Sequence, residues 1–209
     1  MSIGILGNKI GMTQIFDPKG EIIPVTIIKG GPCYITQIKS TENCGYNSLQ
    51  LGYVEVNPNL KSLTKPELGH FSKVNLAPYR YLKEYKTEEI SKYTIGQKFT
   101  VEIFTVGEKI NVTGFTIGKG NAGNIKQHHF SRGAMTHGGK SKRLQGSMGS
   151  GTTPGRVYPG KKMPGRFGME KRTVKGLEII DIDTTQNLLV IKGSIPGKTG
   201  NLVSINSGK

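Results

Sequence analysis

The chain has 209 residues, a formal net charge of +15 and 34% hydrophobic residues. That is enough for one large or two small domains with a packed core. No apolar run approaches the ~18 residues of a transmembrane helix, and the N-terminal residues lack the layout of a secretion signal, so we expect the protein to begin at or near Met1. Cys33 and Cys44 form neither a zinc signature nor a disulfide framework.

The first 56 residues predict four β-strands. Apolar residues from Ile3 to Phe16 are interrupted by three glycines, which indicates a strand with a bulge or a sharp bend. Asp17–Gly20 has the residue order of a turn. Three further strands follow in EIIPVTIIKG, CYITQIKS and YNSLQLGYVEV, and the turn ENCG separates the last two. Short strands at this spacing favour a barrel or a sandwich over a βαβ unit.

Residues 57–97 have a different character, and we interpret them as a small insertion of helical and irregular structure. Thr64 is a candidate N-cap and Pro66 fits a first helical turn, which predicts a short helix. A polar, Tyr-rich stretch of mixed charge follows it. Strands return in QKFTVEIF, INVTGFTIG, TVKGLEIIDIDTTQNLLVIKGSI and NLVSINS. The sequence therefore predicts a mainly β domain formed by residues 1–117 and 173–209.

Between those two parts lies a Gly-rich stretch, residues 118–172. Its 55 residues include 12 Lys or Arg, one acidic residue, 13 Gly and three Pro. Such a composition cannot bury enough apolar surface to offset its ordering entropy, so we expect it to order on a polyanion. The expected RNA-binding side chains are its basic and imidazole groups: Lys119, Lys126, His128, His129, Arg132, His137, Lys140, Lys142, Arg143, Arg156, Lys161, Lys162, Arg166, Lys171 and Arg172.

The choice of residues within the stretch favours folded RNA over diffuse screening. Five of the six arginines of the chain lie in it, and the guanidinium fork matches phosphate and stacks on bases. Phe130, Tyr158 and Phe167 are available for stacking. A disordered basic tail would lie at a chain end and contain few apolar residues, whereas this stretch is internal and includes Leu144 and Val157.

The same stretch contains partial patterns of four other kinds of site. Gly118–Gly123 spells G-x-G-x-x-G, but we expect no helix after it and no ribose-binding acid precedes Glu170. Ala134–Ser141 resembles a loosened phosphate-binding loop, but no apolar strand precedes it and no supporting helix is expected after it, so we interpret the match as chance. The histidines have no Cys, Asp or Glu to complete a metal site, and no carboxylate orients a catalytic base. We therefore expect no enzyme activity, cofactor, metal or small-molecule substrate. The alternatives are a nucleotide-binding enzyme and an RNA-binding chaperone.

Longer motifs resemble a known family. They include GILGNKIGMTQIFDPKGEIIPVTIIKGGPC, GKGNAGNIKQHHFSRGAMTHG, GSMGSGTTPGRVYPGKKMPGRFG and NLLVIKGSIPG. The chain resembles the third protein of the large ribosomal subunit in its bacterial or organellar form. The resemblance implies a translation-protein-type β-barrel with a long extended loop whose tip lies at about 142–153. It also implies a ribosome in the bacterial cytoplasm or plastid stroma, and no catalytic side chain.

The resemblance further implies the partners. These are the large-subunit (23S-type) rRNA near its 3′ region and neighbouring proteins, notably the fourteenth and nineteenth of that subunit. It implies a role in early subunit assembly and a loop directed toward the peptidyl-transferase centre. One departure is Ser150 in GSMGS, where some bacterial members have a methylated Gln in GSIGQ. That modification is impossible at this residue.

Overall fold

The structure, a computed structural model, describes residues 4–57 and 63–208. The predicted mainly β class is confirmed. The expected strand start at Ile3, the expected protein start at Met1 and residues 58–62 of the predicted insertion lie outside the described residues. The described strands are β1 (Ile5–Phe16), β2 (Ile22–Gly30), β3 (Cys33–Lys39), β4 (Ser48–Glu55), β5 (Tyr79–Lys86), β6 (Lys98–Phe99), β7 (Lys109–Phe115), β8 (Asn121–Ala122), β9 (Gly165–Arg166), β10 (Lys171–Asp183), β11 (Leu188–Lys192) and β12 (Leu202–Ser207).

Three short α-helices and one 3-10 helix, Val101–Ile103, accompany these strands in the described residues, and the 3-10 helix lies where the sequence QKFTVEIF predicted a longer strand than β6. The α-helices are α1 (Thr41–Cys44), α2 (Lys65–Ser72) and α3 (Asn124–His128). The predicted helix after Thr64 is α2, and it begins with a reciprocal cap in which the Glu67 carboxylate accepts from the Thr64 backbone N–H at 2.7 Å. Among the described residues, no helix combines the length and the hydrophobicity that a membrane crossing requires.

Six antiparallel strands close into a barrel in the order β1-β12-β7-β10-β11-β2. β2 folds back on β1 in a register that runs from Gly7↔Gly30 to Phe16↔Ile22, with the predicted bulge between Lys9 and Gly11. The predicted turn is also present, since the Gly20 N–H donates to the Asp17 carbonyl at 2.8 Å. Closure of the sheet leaves the barrel strands paired on both sides over much of their length, which limits edge-to-edge association.

A second, four-stranded sheet has the order β5-β4-β3-β6. The description of residues 57–97 as helical and irregular was wrong for β5, which pairs with β4 from Ser48↔Lys86 to Glu55↔Tyr79. Its mixed charges obscured a period of two in which the terminal tyrosines, Tyr79 and Tyr85, are buried. The pairing with β4 supplies the burial that the local composition did not predict.

The core is aliphatic and follows the strand period. In β7, buried and partly exposed residues alternate. Ile110 and Val112 are fully buried, whereas Asn111 and Thr113 are partly exposed. Ile5, Ile28 and Ile205 are likewise fully buried, and each such side chain contributes about 1.5–3 kcal/mol relative to an exposed one. All residues of the core cluster come from 5–112 and 179–205, so residues 116–170 contribute nothing to this core.

The chain divides into two compact units. One is Met1–Phe115 with Lys171–Lys209, called here the barrel unit, and the other is Thr116–Glu170, called here the basic segment. The boundary differs slightly from the Gly-rich stretch of the sequence, because Lys171 and Arg172 belong to β10. They pair with Phe115 and Gly114 of β7.

Candidate nucleic-acid interface

Backbone pairing joins the first and last parts of the basic segment, called here its two arms. The paired residues, near 119–122 and 165–167, are called here its base. Ala122 in β8 lies opposite Gly165 in β9. The Lys119 N–H donates to the Phe167 carbonyl and the Phe167 N–H to the Gly120 carbonyl, each at 2.9 Å. Gly168 is needed beside them, because it has φ +77° and a Cβ there would lie 2.2 Å from the Ile117 carbonyl oxygen. The base is therefore an antiparallel ribbon.

One element of this base was not expected. The prediction that no helix follows Gly123 was wrong, since α3 begins at Asn124 and ends before His129, which is left-handed with φ 58°. Its five residues contain no glycine, so one helical turn forms despite the surrounding composition. A single turn is far shorter than the helix of a dinucleotide-binding βαβ unit, and no acidic residue lies between Gly123 and Glu170.

Two side chains of α3 connect the arms. A ring nitrogen of His128, Nε2, lies 3.1 Å from the Met163 carbonyl oxygen. The Asn124 amide donates to the Lys162 carbonyl at 3.5 Å. His128 is half-buried, so one of its nitrogens serves the fold of the segment. The other two predicted imidazoles, His129 and His137, are exposed.

Beyond the base, the segment is almost entirely at the surface. Ala122 and Asn124 are its only buried residues. Backbone hydrogen bonds there are few; one runs from the Gly133 N–H to the Lys142 carbonyl at 3.1 Å and brackets the motif Ala134–Ser141, whose match to a phosphate-binding loop we interpret as chance. That motif contains bends and no helix. A segment with this little buried surface lacks a core of its own.

All twelve predicted lysines and arginines are exposed. Ten of them lie in the basic segment, whose sole acidic residue is Glu170. They are Lys119, Lys126, Arg132, Lys140, Lys142, Arg143, Arg156, Lys161, Lys162 and Arg166. Since one acid cannot neutralise ten cations, the segment carries a strong positive potential that attracts polyanions.

Aromatic and apolar side chains are interspersed among these charges. The Lys119 ammonium lies 4.7 Å from the ring centroid of Phe167, and the Arg156 guanidinium lies 5.7 Å from that of Tyr158. Tyr158 is 59% exposed and Leu144 is 71% exposed. A cleft of about 640 Å³ is lined by Leu144 together with Arg143. Exposed rings beside cations suit base stacking combined with phosphate contact.

Metal-ligating side chains do not converge in the part of the chain that the structure describes. No group of three or more His, Cys, Asp or Glu residues there could hold an ion. The three histidines of the segment have different surroundings. His128 contacts the Met163 carbonyl of the second arm, whereas His129 and His137 are exposed to solvent. The chemistry that the segment offers is thus cationic and aromatic.

Comparisons with known proteins agree with this chemistry. A family model described as ribosomal protein L3 matches residues 83–188. Large ribosomal subunit protein uL3 of Picosynechococcus is 57% identical over 206 residues, which covers 98% of this chain and 96% of that protein. Large ribosomal subunit protein uL3c of Phaeodactylum tricornutum is 56% identical over 205 residues, with 98% of each chain covered. The uL3c protein of Gracilaria tenuistipitata is 54% identical over 205 residues, with 98% and 99% covered. With more than half of its residues identical to these relatives over almost its whole length, the chain belongs to the ribosomal protein L3 family.

Proposed function

We propose that the basic segment is the main rRNA-binding element of a structural protein of the large ribosomal subunit. Membership of the L3 family makes the chain a non-enzymatic ribosomal protein of the bacterial and plastid type. The observation that carries the proposal is the segment itself: ten exposed cations against one acid, with two buried residues. Such a segment gains its order from the phosphates that it neutralises.

The geometry suits insertion between RNA helices. Both ends of the segment continue into paired barrel strands, β7 and β10, so the entropy cost of ordering it on RNA is lower than for a free tail. Glycines allow the backbone to approach phosphates, and arginines bind them through two parallel N–H groups. Tyr158 and Leu144 provide apolar contact to bases or riboses.

The finer assignments are part of the same proposal. The contacts are made by the ten cations of the segment, by His128, His129 and His137, and by Lys171 and Arg172 at the start of β10. The resemblance supports a location near the 3′ region of the 23S-type rRNA, a role in early assembly and a tip that approaches the peptidyl-transferase centre. It also supports the fourteenth and nineteenth large-subunit proteins as neighbours.

Salt-dependent binding to a large-subunit rRNA transcript tests the proposal. One variant changes the five outer cations to Gln: Arg132, Lys140, Lys142, Arg143 and Arg156. Its control changes five exposed lysines of the barrel unit to Gln: Lys19, Lys29, Lys65, Lys73 and Lys198. The two variants have the same net charge, so general attraction to RNA is matched.

The first variant is expected to lower the slope of log affinity against log salt by up to about 4.5, at 0.7–0.9 for each phosphate contact. The control should lower it by less than half as much. Equal slopes would contradict the assignment of the contacts to the basic segment. Co-sedimentation with the large subunit after a high-salt wash separates an integral component from an RNA chaperone.

A further inference from the structure

A second cationic site lies on the barrel unit, where Lys83, a residue that composition did not single out, lies near Lys171 at the start of β10. A depression of about 200 Å³ opens where β1, β12, β7 and β10 are neighbours. Its apolar walls are formed by Leu6, Phe115 and Leu202, and Lys83 of β5 and Lys171 of β10 also line it. It is smaller than the 300–1,000 Å³ typical of small-molecule and cofactor sites, so it fits a part of a larger ligand.

Within the described residues, the two lysines have no acidic partner. Among the ion pairs of residues 4–57 and 63–208, none involves Lys83 or Lys171. Burial lowers the pKa of Lys83 to about 8, and the charge of Lys171 lowers it further in the same direction. Two cations that repel each other beside an apolar surface form a site whose electrostatic complement is an anion.

Packing holds Lys83 in this position. Its ammonium lies 5.5 Å from the ring centroid of Tyr85. Tyr85 is buried, and its hydroxyl is 2.9 Å from the Ser204 Oγ atom of β12. The tyrosine therefore links the second sheet to the barrel wall and presents Lys83 over the depression. A lysine supported in this way loses less side-chain entropy on binding than a freely rotating one.

We propose that this depression binds one nucleotide of rRNA, with its phosphate between Lys83 and Lys171 and its base or ribose against Phe115. This inference rests on the proposed function, because it adds a second contact to the same rRNA partner. Lys171 is the first residue after the basic segment in the chain, so the proposed contact is continuous in sequence with the main one.

The side chains around the depression favour a nucleotide that is bound without recognition of its base. Phe115 is 50% exposed and offers a ring for stacking. The hydroxyls nearby are already engaged, since Thr113 Oγ1 lies 2.8 Å from Thr173 Oγ1 and Ser204 Oγ lies 2.9 Å from the Tyr85 hydroxyl. Because the nearby hydroxyls already bond to one another, we expect binding to depend mainly on phosphate charge and stacking, with little base preference.

The test uses the full-length protein and a cyanobacterial large-subunit rRNA transcript. Lys83→Met removes the charge and keeps an apolar stem, Lys83→Arg retains the charge, and Lys98→Met is the matched control on an exposed lysine of the second sheet. We expect Lys83→Met to lower the salt slope by about 0.7–0.9, the value of one phosphate. Lys83→Arg and Lys98→Met should leave the slope close to that of the unmodified protein.

A cross-linking experiment identifies the occupant. The variant Phe115→p-benzoylphenylalanine, assembled into large subunits and irradiated, should cross-link to rRNA. Cross-links to a ribosomal protein, or equal salt slopes for Lys83→Met and Lys98→Met, would overturn the inference. Its failure is distinguishable from failure of the proposed function, because the five-cation variant of the basic segment would still lose RNA affinity. Circular dichroism of each variant confirms that the barrel unit is folded.

Discussion

Phe115 and Lys171 are directly opposed cross-strand partners on β7 and β10. Opposed residues of an antiparallel pair have Cα atoms about 4.5–5.5 Å apart, so the two ends of the basic segment leave the barrel unit from adjacent positions. The next residues continue the pairing within the segment, where the Thr116 N–H donates to the Glu170 carbonyl at 2.9 Å. The 55 residues between these partners therefore form an insertion that is not required for the strand pairing of the barrel.

Replacing the basic segment by a short turn should leave the barrel unit folded. In this variant Asn-Gly joins Phe115 directly to Lys171, because a two-residue loop of this kind connects antiparallel strands. We expect the free energy of unfolding to change by less than about 1 kcal/mol, since none of the core residues lies in 116–170. Urea unfolding measures it.

The same variant should bind rRNA with a much smaller salt slope. A barrel that fails to fold without the segment would show that the segment contributes to stability. Leu189→Ala in the full chain shows, for comparison, how much the free energy of unfolding falls when a core side chain is truncated. Leu189 is fully buried, and such truncations cost about 2–5 kcal/mol.

The outer part of the basic segment should be unprotected in the free protein. From Gly133 to Gly155 every residue is exposed or half-exposed, and backbone bonds such as that from the Gly139 N–H to the Thr136 carbonyl are few. Amides there should exchange within a factor of about 10 of the unstructured rate, while β7 amides remain protected. Strong protection across Gly133–Gly155 before RNA is added would contradict this expectation.

Local patterns in the sequence predicted the elements better than their pairing. The bulge near Gly11, the turn at Asp17–Gly20 and the cap at Thr64 are set by residues adjacent in the chain, and all three are present. β5 was missed because charged residues alternate with its tyrosines. The division of strands between barrel and second sheet depends on long-range pairs such as β2 with β11, and no local pattern encodes it.

The candidate site shows the same contrast between features that local sequence predicts and features that depend on long-range packing. Exposure of the basic residues follows from composition, since an excess of charge without apolar material cannot form a core. Lys83 was not selected, because it is one lysine in a stretch of mixed charge. The packing of the second sheet on the barrel, which includes the contact between the Tyr85 hydroxyl and Ser204, brings it to the barrel. The short helix α3 was also not predicted, because a single helical turn has too few residues to show a helical period.

Lys9 should be a structural lysine of the barrel. It is 8% exposed, and its ammonium donates to the carbonyls of Ile195 and Gly197, each at 3.0 Å. Lys9→Met leaves these carbonyls without their donor and should lower the free energy of unfolding by about 1–3 kcal/mol. Lys29→Met, on the neighbouring strand and exposed, is the control and should change it by less than about 0.5 kcal/mol. Similar losses for both variants would contradict the structural role.

The two cysteines should differ sharply in reactivity. Burial raises the pKa of the Cys33 thiol to about 12, and the residue is fully inaccessible. Cys44 is exposed. Because the thiolate is the reactive form, a disulfide reagent at pH 8 should titrate one thiol in the folded protein and two in urea. The variant Cys44→Ser should show no rapid reaction; a fast thiol in that variant would contradict the burial of Cys33.

Lys83 should make stability depend on pH in the alkaline range. Its pKa is about 8 in the folded protein against 10.5 ordinarily, because burial and the charge of Lys171 disfavour the ammonium. Between these values the unfolded chain binds more protons than the folded one, so the contribution of Lys83 to stability rises with pH. Cys33 and Tyr53, whose pKa values burial raises to about 12, act in the opposite direction above pH 9–10.

Comparison with Lys83→Met isolates this contribution, because the opposing groups are present in both proteins. The free energy of unfolding of the unmodified protein, relative to that of the variant, should increase from pH 7 to pH 10 in urea unfolding series at constant ionic strength. Lys98→Met, compared in the same way, should show no such increase, because Lys98 is exposed. A constant difference between Lys83→Met and the unmodified protein would mean that the ammonium is fully hydrated, and the depression beside it would then lack the electrostatic drive for a phosphate.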